Sequence, residues 1–340
     1  MISNQSNSAV RLHEIDFMRP MVIVLLIMMH SFTLYSEGGS WGYPEGIGSV
    51  TAYKWITIIT YGCMLEAFTF ISGYLFGFQM KKNMMDLWPL IVSKLKRLIL
   101  PSILFGILYI SIIDDFNGRG NVMQAISVML SGAGHLWYLP MLFWCFIIAW
   151  LIRKIKINER IKLIGLFLLS IIAVVPIPLK LNTVFHYFPF FYLGMYVFDN
   201  PPPKITSFNV ALWLAIFLLV LTCVMLYRDA HASLANWQKM LLWYAKQLYA
   251  FCGTYGMFLL CKLLGRKFKV SDGLLSFNKC CFGIYIFQQF VLRILYYQTS
   301  LPSLCGTYLL PWCGLITAFI ISLGLTTILR KTKVGAYLLG

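Results

Sequence analysis

From Phe17 to Leu329 the chain alternates long apolar runs with short polar breaks. Runs of about twenty apolar residues read as membrane-crossing helices, and lipid admits only helices or closed barrels. The pattern predicts ten spans, at 17–36, 53–79, 98–113, 136–152, 161–178, 184–199, 208–227, 240–261, 277–299 and 307–329, with one more or one fewer left open. The expected fold is all-α, a polytopic membrane protein with about ten transmembrane helices in one bundle. One domain is expected over 1–340, with a cytoplasmic tail at 1–16, the bundle at 17–329 and a second tail at 330–340. The third span is short, and little beyond Pro178, Lys180 and Asn182 separates the fifth from the sixth. The first run is too long for a secretory signal core and carries Arg19 near its start, so it reads as a retained helix.

Composition agrees: 59% of residues are hydrophobic and 12% charged, unlike a soluble globular mixture. Basic residues sort by side. Lys81, Lys82, Lys94, Lys96 and Arg97 fall on one face, with Arg153 to Lys162, Lys262 to Lys279, and Arg330 to Lys333. Lys54, Arg119, Lys180, Arg228, Lys239 and Lys246 fall on the other. The asymmetry puts both termini in the cytoplasm of a cell-membrane protein, the inner membrane where there are two. It also accounts for the formal charge of +16 with membrane lipid as the partner. No basic-aromatic recognition module is visible, so no nucleic-acid partner is expected. The nine cysteines form no CxxC pair, and the histidines have no metal-binding spacing, so no metal site is expected. Phosphate-binding and nucleophile-elbow motifs are also missing.

Against this apolar background the first span, IDFMRPMVIVLLIMMHSF, carries Asp16, Arg19 and His30. Eleven helical steps of about 100° return almost to the starting direction, so Arg19 and His30 share one stripe roughly 16 Å long. Asp16 lies one turn before Arg19 on nearly the same face. Ionisable groups at bilayer depth are costly and usually functional. A neutral imidazole suits general-base work on a hydroxyl. The bland readings are a histidine that glues helices together and an Asp16–Arg19 pair that anchors the helix end.

Three further groups stand out. In KLKRLILP, Lys94 and Arg97 share a helix face beside Lys96, suited either to phosphates or to topology and anionic lipid. Glu66, in MLEAFTFISGYLF, is the one acid well inside a span; it can pair with a membrane arginine, bind a substrate hydroxyl or sit protonated. Ser72 and Gly73 follow, where backbones or a ligand can approach closely. His135 opens the fourth span with Trp137 and Tyr138, either an interfacial aromatic belt or a sugar-stacking surface. His186 reads as structural.

Taken together these segments resemble the acyltransferase-3 family of integral membrane acyltransferases, over nearly the whole chain from Arg11 to about Leu329. The family's arginine, ten intervening residues and histidine match Arg19 and His30, preceded by Ile15-Asp16. Its aromatic-rich run ending in Ser-Gly-Phe/Tyr matches Phe68 or Phe70, Ser72, Gly73 and Tyr74. Its basic pair before a proline matches Lys94, Arg97 and Pro101, with lysine where an arginine is usual. HLWYL, FPFFYLGM and GIYIFQQ resemble later segments, with Gln288 where many members have histidine.

The resemblance implies transfer of an acyl group, usually acetyl, from cytoplasmic acyl-CoA to a hydroxyl of a surface polysaccharide, a glycolipid or lipid-linked glycan precursor, or an exported small molecule. Acyl-CoA would be a donor substrate, with no permanently bound cofactor. His30, Arg19 and Asp16 would be catalytic, with Lys94 and Arg97 at the donor. Glu66, Ser72, Tyr74, His135 and Trp137 would line the acceptor site or cavity. Loops 37–52, with Glu37, Trp41, Tyr43 and Glu45, and 228–239 would add acceptor contacts. The rival expectation is a transporter or exporter of a glycan or small solute, using Arg19, Glu66 and His30 as an intramembrane path.

Overall fold

The computed structural model describes residues 11–35, 41–44, 46–82, 85–113, 122–177, 180–231 and 233–339. These are 84% helical, with no strand among the described residues. Among the described residues eight helices are long and apolar enough to cross a membrane. The chain is an all-α membrane protein.

Helix α1 (His13–Phe32) starts inside the expected N-terminal tail and runs through the middle of the bundle. It packs on α2 (Thr51–Tyr61), α3 (Met64–Lys82), α11 (Asn236–Lys267), α12 (Asp272–Tyr297) and α13 (Leu301–Leu329). Met18, Val22, Ile23 and Ile27 on it are fully buried. Pro20 lies inside α1 and has no N–H for the carbonyl four residues earlier. That carbonyl belongs to Asp16, and the Asn278 side chain on α12 donates to it at 2.8 Å. The polar end of α1 is thus pinned to α12.

The second expected span is two helices, α2 and α3, broken at Gly62 and Cys63. The third begins earlier than expected. Here α4 (Leu87–Lys94) continues through a wide π turn, Leu95–Ile99, into α5 (Leu100–Ile112). Pro101 cannot donate to Arg97 O, and a widened turn absorbs that loss. Lys94, Lys96 and Arg97 therefore lie within the span rather than before it, and on a helix as expected.

After α6 (Val122–Ser131) and α7 (Tyr138–Arg153), the fifth expected span is only α8 (Glu159–Leu169) followed by a 3-10 turn, Ser170–Val174. The sixth, α9 (Asn182–Asp199), carries His186, Tyr187, Tyr192 and Tyr196 among its apolar residues. These two segments lie outside the eight spans, so ten spans reduce to eight long apolar helices and two shorter or more polar ones. α9 is nonetheless deeply packed. A Cβ on Gly73 of α3 would come within 1.8 Å of Phe191 O, and one on Gly194 within 2.2 Å of Phe70 O. The α3–α9 crossing therefore requires both glycines. α10 (Ser207–Ala230) pairs with α11. α10 and α13 are the least buried of the eight and form the outer flanks.

The segment expected as a C-terminal tail is not one throughout. Lys333–Leu339 forms α14, which folds back onto α5, α12, α13 and the π turn.

Candidate active site

The stripe on α1 meets two separate cavities. The first, about 670 Å³, lies at the basic end of the bundle. Asp16 and Arg19 face it from α1, Ser72 and Phe76 from α3, and Lys94 and Arg97 from α4 and the π turn. Leu142 and Phe146 of α7, Phe282 and Lys279 of α12, and Tyr337 to Leu339 of α14 complete the wall. Asp16 is the one acid among the lining residues, and it is taken by Arg11 at 2.8 Å. Arg19, Lys94, Arg97 and Lys279 have no carboxylate partner among the described residues. The Lys94 ammonium rests 3.8 Å from the centre of the Phe146 ring. The cavity is therefore a positive chamber with apolar walls, suited to phosphates carried on an organic arm.

The second cavity, about 380 Å³, lies at the other end and holds His30. The His30 ring is parallel to Trp41 at 6.1 Å. Its Nδ1–H donates to Gln288 Oε1 at 3.0 Å, which leaves the Nε2 lone pair free. His135 lies edge-on, with ring centres 6.2 Å apart. Its Nε2–H donates to Ile286 O at 2.9 Å, and its backbone N–H to Gln289 Oε1 at 3.0 Å. Tyr285 Oη donates to His135 O at 2.7 Å. His135 Nδ1 is buried with no hydrogen-bond partner. Two adjacent histidines are thus held by two adjacent glutamines of α12, each with one ring nitrogen uncommitted.

The backbone before His135 makes this possible. Gly132 and Gly134 have φ of +84° and +52°, and a Cβ on Gly134 would sit 2.7 Å from the Tyr109 ring. Only glycine fits this turn, which carries His135 and Trp137 into the cavity wall.

A septum one to two helical turns thick divides the cavities: on α1 it runs from Arg19 to Leu26 and on α3 from Leu65 to Ser72, about 10 Å each. On α7 Tyr138 lines the outer one and Leu142 the inner. On α12 the pair is Tyr285 and Phe282. Those steps are a single helical turn, about 5 Å. Tyr138 Oη is tied across the septum to Thr69 Oγ1 at 3.0 Å.

The structure separates the expected site residues into three groups. Asp16, Arg19, Ser72, Lys94 and Arg97 share the inner cavity, and His30, His135 and Trp137 share the outer one. Ser72 thus lines a cavity as expected, but the inner, basic one rather than the one that holds His30. Glu66 and Tyr74 line neither cavity. Glu66 accepts from His186 Nε2 at 2.9 Å, and Gln247 donates to His186 Nδ1 at 2.6 Å, a buried polar knot off the expected path. Tyr74 donates to Glu14 at 2.5 Å and packs on Phe70 and Phe258. Arg19 does not contact Asp16, which Arg11 holds instead. Of the expected acceptor loops, Trp41 reaches the outer cavity, whereas no described residue of 228–239 lines it. Glu37 and Glu45 lie outside the described residues.

Sequence reasoning gave no role to Arg293, Gln289, Tyr109 or Tyr285, all of which line the outer cavity. Arg293 and the Gln288-Gln289 pair were visible as polar residues in an apolar run, but no spacing tied them to His30.

Residues 12–331 match the profile of a family described as an acyltransferase domain. No curated protein and no solved structure matches the chain.

Proposed function

The chain belongs to the acyltransferase-3 family, and from that premise we propose that it is a membrane O-acyltransferase with acyl-CoA as donor. In this reading it moves an acyl group, acetyl in the simplest case, onto a hydroxyl of a surface polysaccharide or glycolipid precursor. The supporting observation is that one helix, α1, presents Arg19 to the basic inner cavity and His30 to the outer one, eleven residues on. The basic inner clusters favour a cell-membrane location, inner where there are two, with both termini cytoplasmic.

The chemistry follows from the groups at each end. Lys94, Arg97 and Arg19 neutralise the donor's phosphates, and the thioester arm passes the septum towards His30. His30 Nε2 takes the proton of the acceptor hydroxyl while that oxygen attacks the thioester carbonyl. The tetrahedral centre collapses, the C–S bond breaks, and the proton passes to the departing thiolate as CoA-SH. No net proton is gained or lost. Gln288 fixes the tautomer that leaves Nε2 basic, as the orienting member of a triad does. His135 Nδ1 is placed to accept a second hydrogen bond from the acceptor and so to orient it. The transport alternative needs Glu66 on the path, and Glu66 is committed to His186.

The test is acyl-CoA-dependent CoA-SH release and ester formation by purified protein in lipid nanodiscs. His30→Ala should remove both by at least 100-fold, the scale of lost acid-base catalysis, with insertion and thermal unfolding unchanged. Wild-type turnover in that variant would overturn the assignment.

A further inference from the structure

The outer cavity is lined by aromatic and neutral polar residues, two histidines and a single arginine, Arg293, with no carboxylate among the described lining residues. Arg293 sits on the last turns of α12, four residues and about 6 Å beyond Gln289 on the same face. Its guanidinium lies 5.2 Å over the Trp41 ring and 4.8 Å over the Tyr297 ring. Its Nε is buried without a hydrogen bond, and no carboxylate lies within ion-pair distance among the described residues. A guanidinium placed among apolar walls near a membrane is costly unless a counter-charge meets it. Arg293 shares a side-chain hydrogen bond with Tyr297 and lines the cavity, and its remaining N–H groups are offered to an oxyanion.

From this we infer that the acceptor carries an oxyanion, a carboxylate or a phosphate on or next to the sugar, which Arg293 grips while the hydroxyl lies at His30. The inference deepens the acyl-transfer reading by naming the acceptor's class and rests on that reading for the word acceptor. The anion subsite itself stands on the cavity alone. It also fixes a spacing. The anion sits about one helical turn outward of the glutamines that hold His30 and His135, so the charged group and the modified hydroxyl belong to one sugar residue or to direct neighbours. Trp41, lying under Arg293 and parallel to His30, provides the apolar platform between them.

The structural alternative is that Arg293 merely clamps Trp41. The test separates the two by binding, not turnover. Nanodisc-held protein is titrated calorimetrically with a methyl hexoside, a methyl hexuronide, a hexose 1-phosphate and inorganic phosphate. The expected result is at least tenfold tighter binding of the uronide or the sugar phosphate than of the neutral sugar. Whichever of the two binds tighter identifies the source of the oxyanion. Arg293→Gln should erase the preference while keeping the neutral sugar's affinity. Arg293→Lys, which keeps the charge and the stacking stem but loses the fork, should shrink the preference at least threefold, and this remains informative if the glutamine variant fails to fold.

Equal affinity for charged and neutral sugars in the wild type overturns the inference, as does a preference that survives both substitutions. CoA-SH release is scored separately. Anion preference lost in Arg293→Gln, with no acyl-CoA turnover in the wild type, keeps the subsite and sinks the transfer reading. Turnover onto neutral sugars with no anion preference does the reverse.

Discussion

Replacing Gln288 tests the site where its geometry is most specific. Gln288 lines neither cavity, yet its Oε1 accepts from His30 Nδ1 at 3.0 Å. Gln288→Leu keeps the side chain's approximate bulk and removes the acceptor. A buried hydrogen bond of this kind contributes about 0.5–1.5 kcal/mol net. At 1.36 kcal/mol per factor of ten, the population of correctly oriented imidazole falls roughly 2- to 13-fold, and kcat should fall with it. KM for acyl-CoA should stay within about twofold, because the cations of the inner cavity lie across the septum. Gln288→Glu is the sharper control. A carboxylate can only accept, so it enforces Nδ1–H and stabilises the imidazolium that forms during transfer. It should keep or raise kcat relative to Gln288→Leu. The assay is initial-rate CoA-SH release against acyl-CoA concentration in nanodiscs. Wild-type kcat in Gln288→Leu would refute the positioning role. A Gln288→Glu variant less active than Gln288→Leu would mean that the amide presents its NH₂ to His30, so that Nε2 carries the proton and cannot be the base.

Two further outcomes follow from the inner cavity and the buried knot. Lys94→Ala with Arg97→Ala removes two cations from the inner wall and should raise the acyl-CoA KM at least tenfold with kcat changed much less; an unchanged KM would exclude the donor assignment. Glu66→Ala leaves His186 Nε2–H without its acceptor in a fully packed interior, a loss of about 1–3 kcal/mol. It should lower the thermal unfolding midpoint while the activity of the folded fraction stays within about twofold, whereas abolished turnover in stable protein would return Glu66 to the mechanism.

What the sequence made legible depended on whether the signal was local. Long apolar runs bounded by basic clusters marked most of the spans, because hydropathy alone decides them. Lys94, Lys96 and Arg97 misled about the third span's start. They read as the polar boundary before the span, yet the membrane helix starts earlier and runs on through a π turn, with Lys94 resting on the Phe146 ring. Seven residues of α14 have no periodic stripe long enough to read, and their reason for being helical is the surface they cover. Gly73 reads equally as a ligand-approach site or a helix contact. A Cβ there would fall 1.8 Å from Phe191 O, which makes it a helix contact. Arg293 lies far in sequence from His30 and Trp41, and only the packing of α12 against α1 brings it to the cavity they line.

Arg19 and His30 were legible as one stripe, but a stripe does not say whether its two ends share a chamber. They do not, and the separation has a chemical consequence. A single open chamber would let water from both sides reach an activated thioester beside a basic imidazole, and hydrolysis would compete with transfer. In the proposed reading, the septum, one turn thick at Tyr138–Leu142 and Phe282–Tyr285, keeps the donor's phosphates on one side and His30 on the other. Only a thin, uncharged arm can bridge it, because a charge in that apolar layer carries the penalty that confines Arg19 and the basic cluster to the inner wall. On that reading the roughly 16 Å from Arg19 to His30 along α1 sets both the reach required of an acyl-CoA donor and the reason why its anionic end stays away from His30.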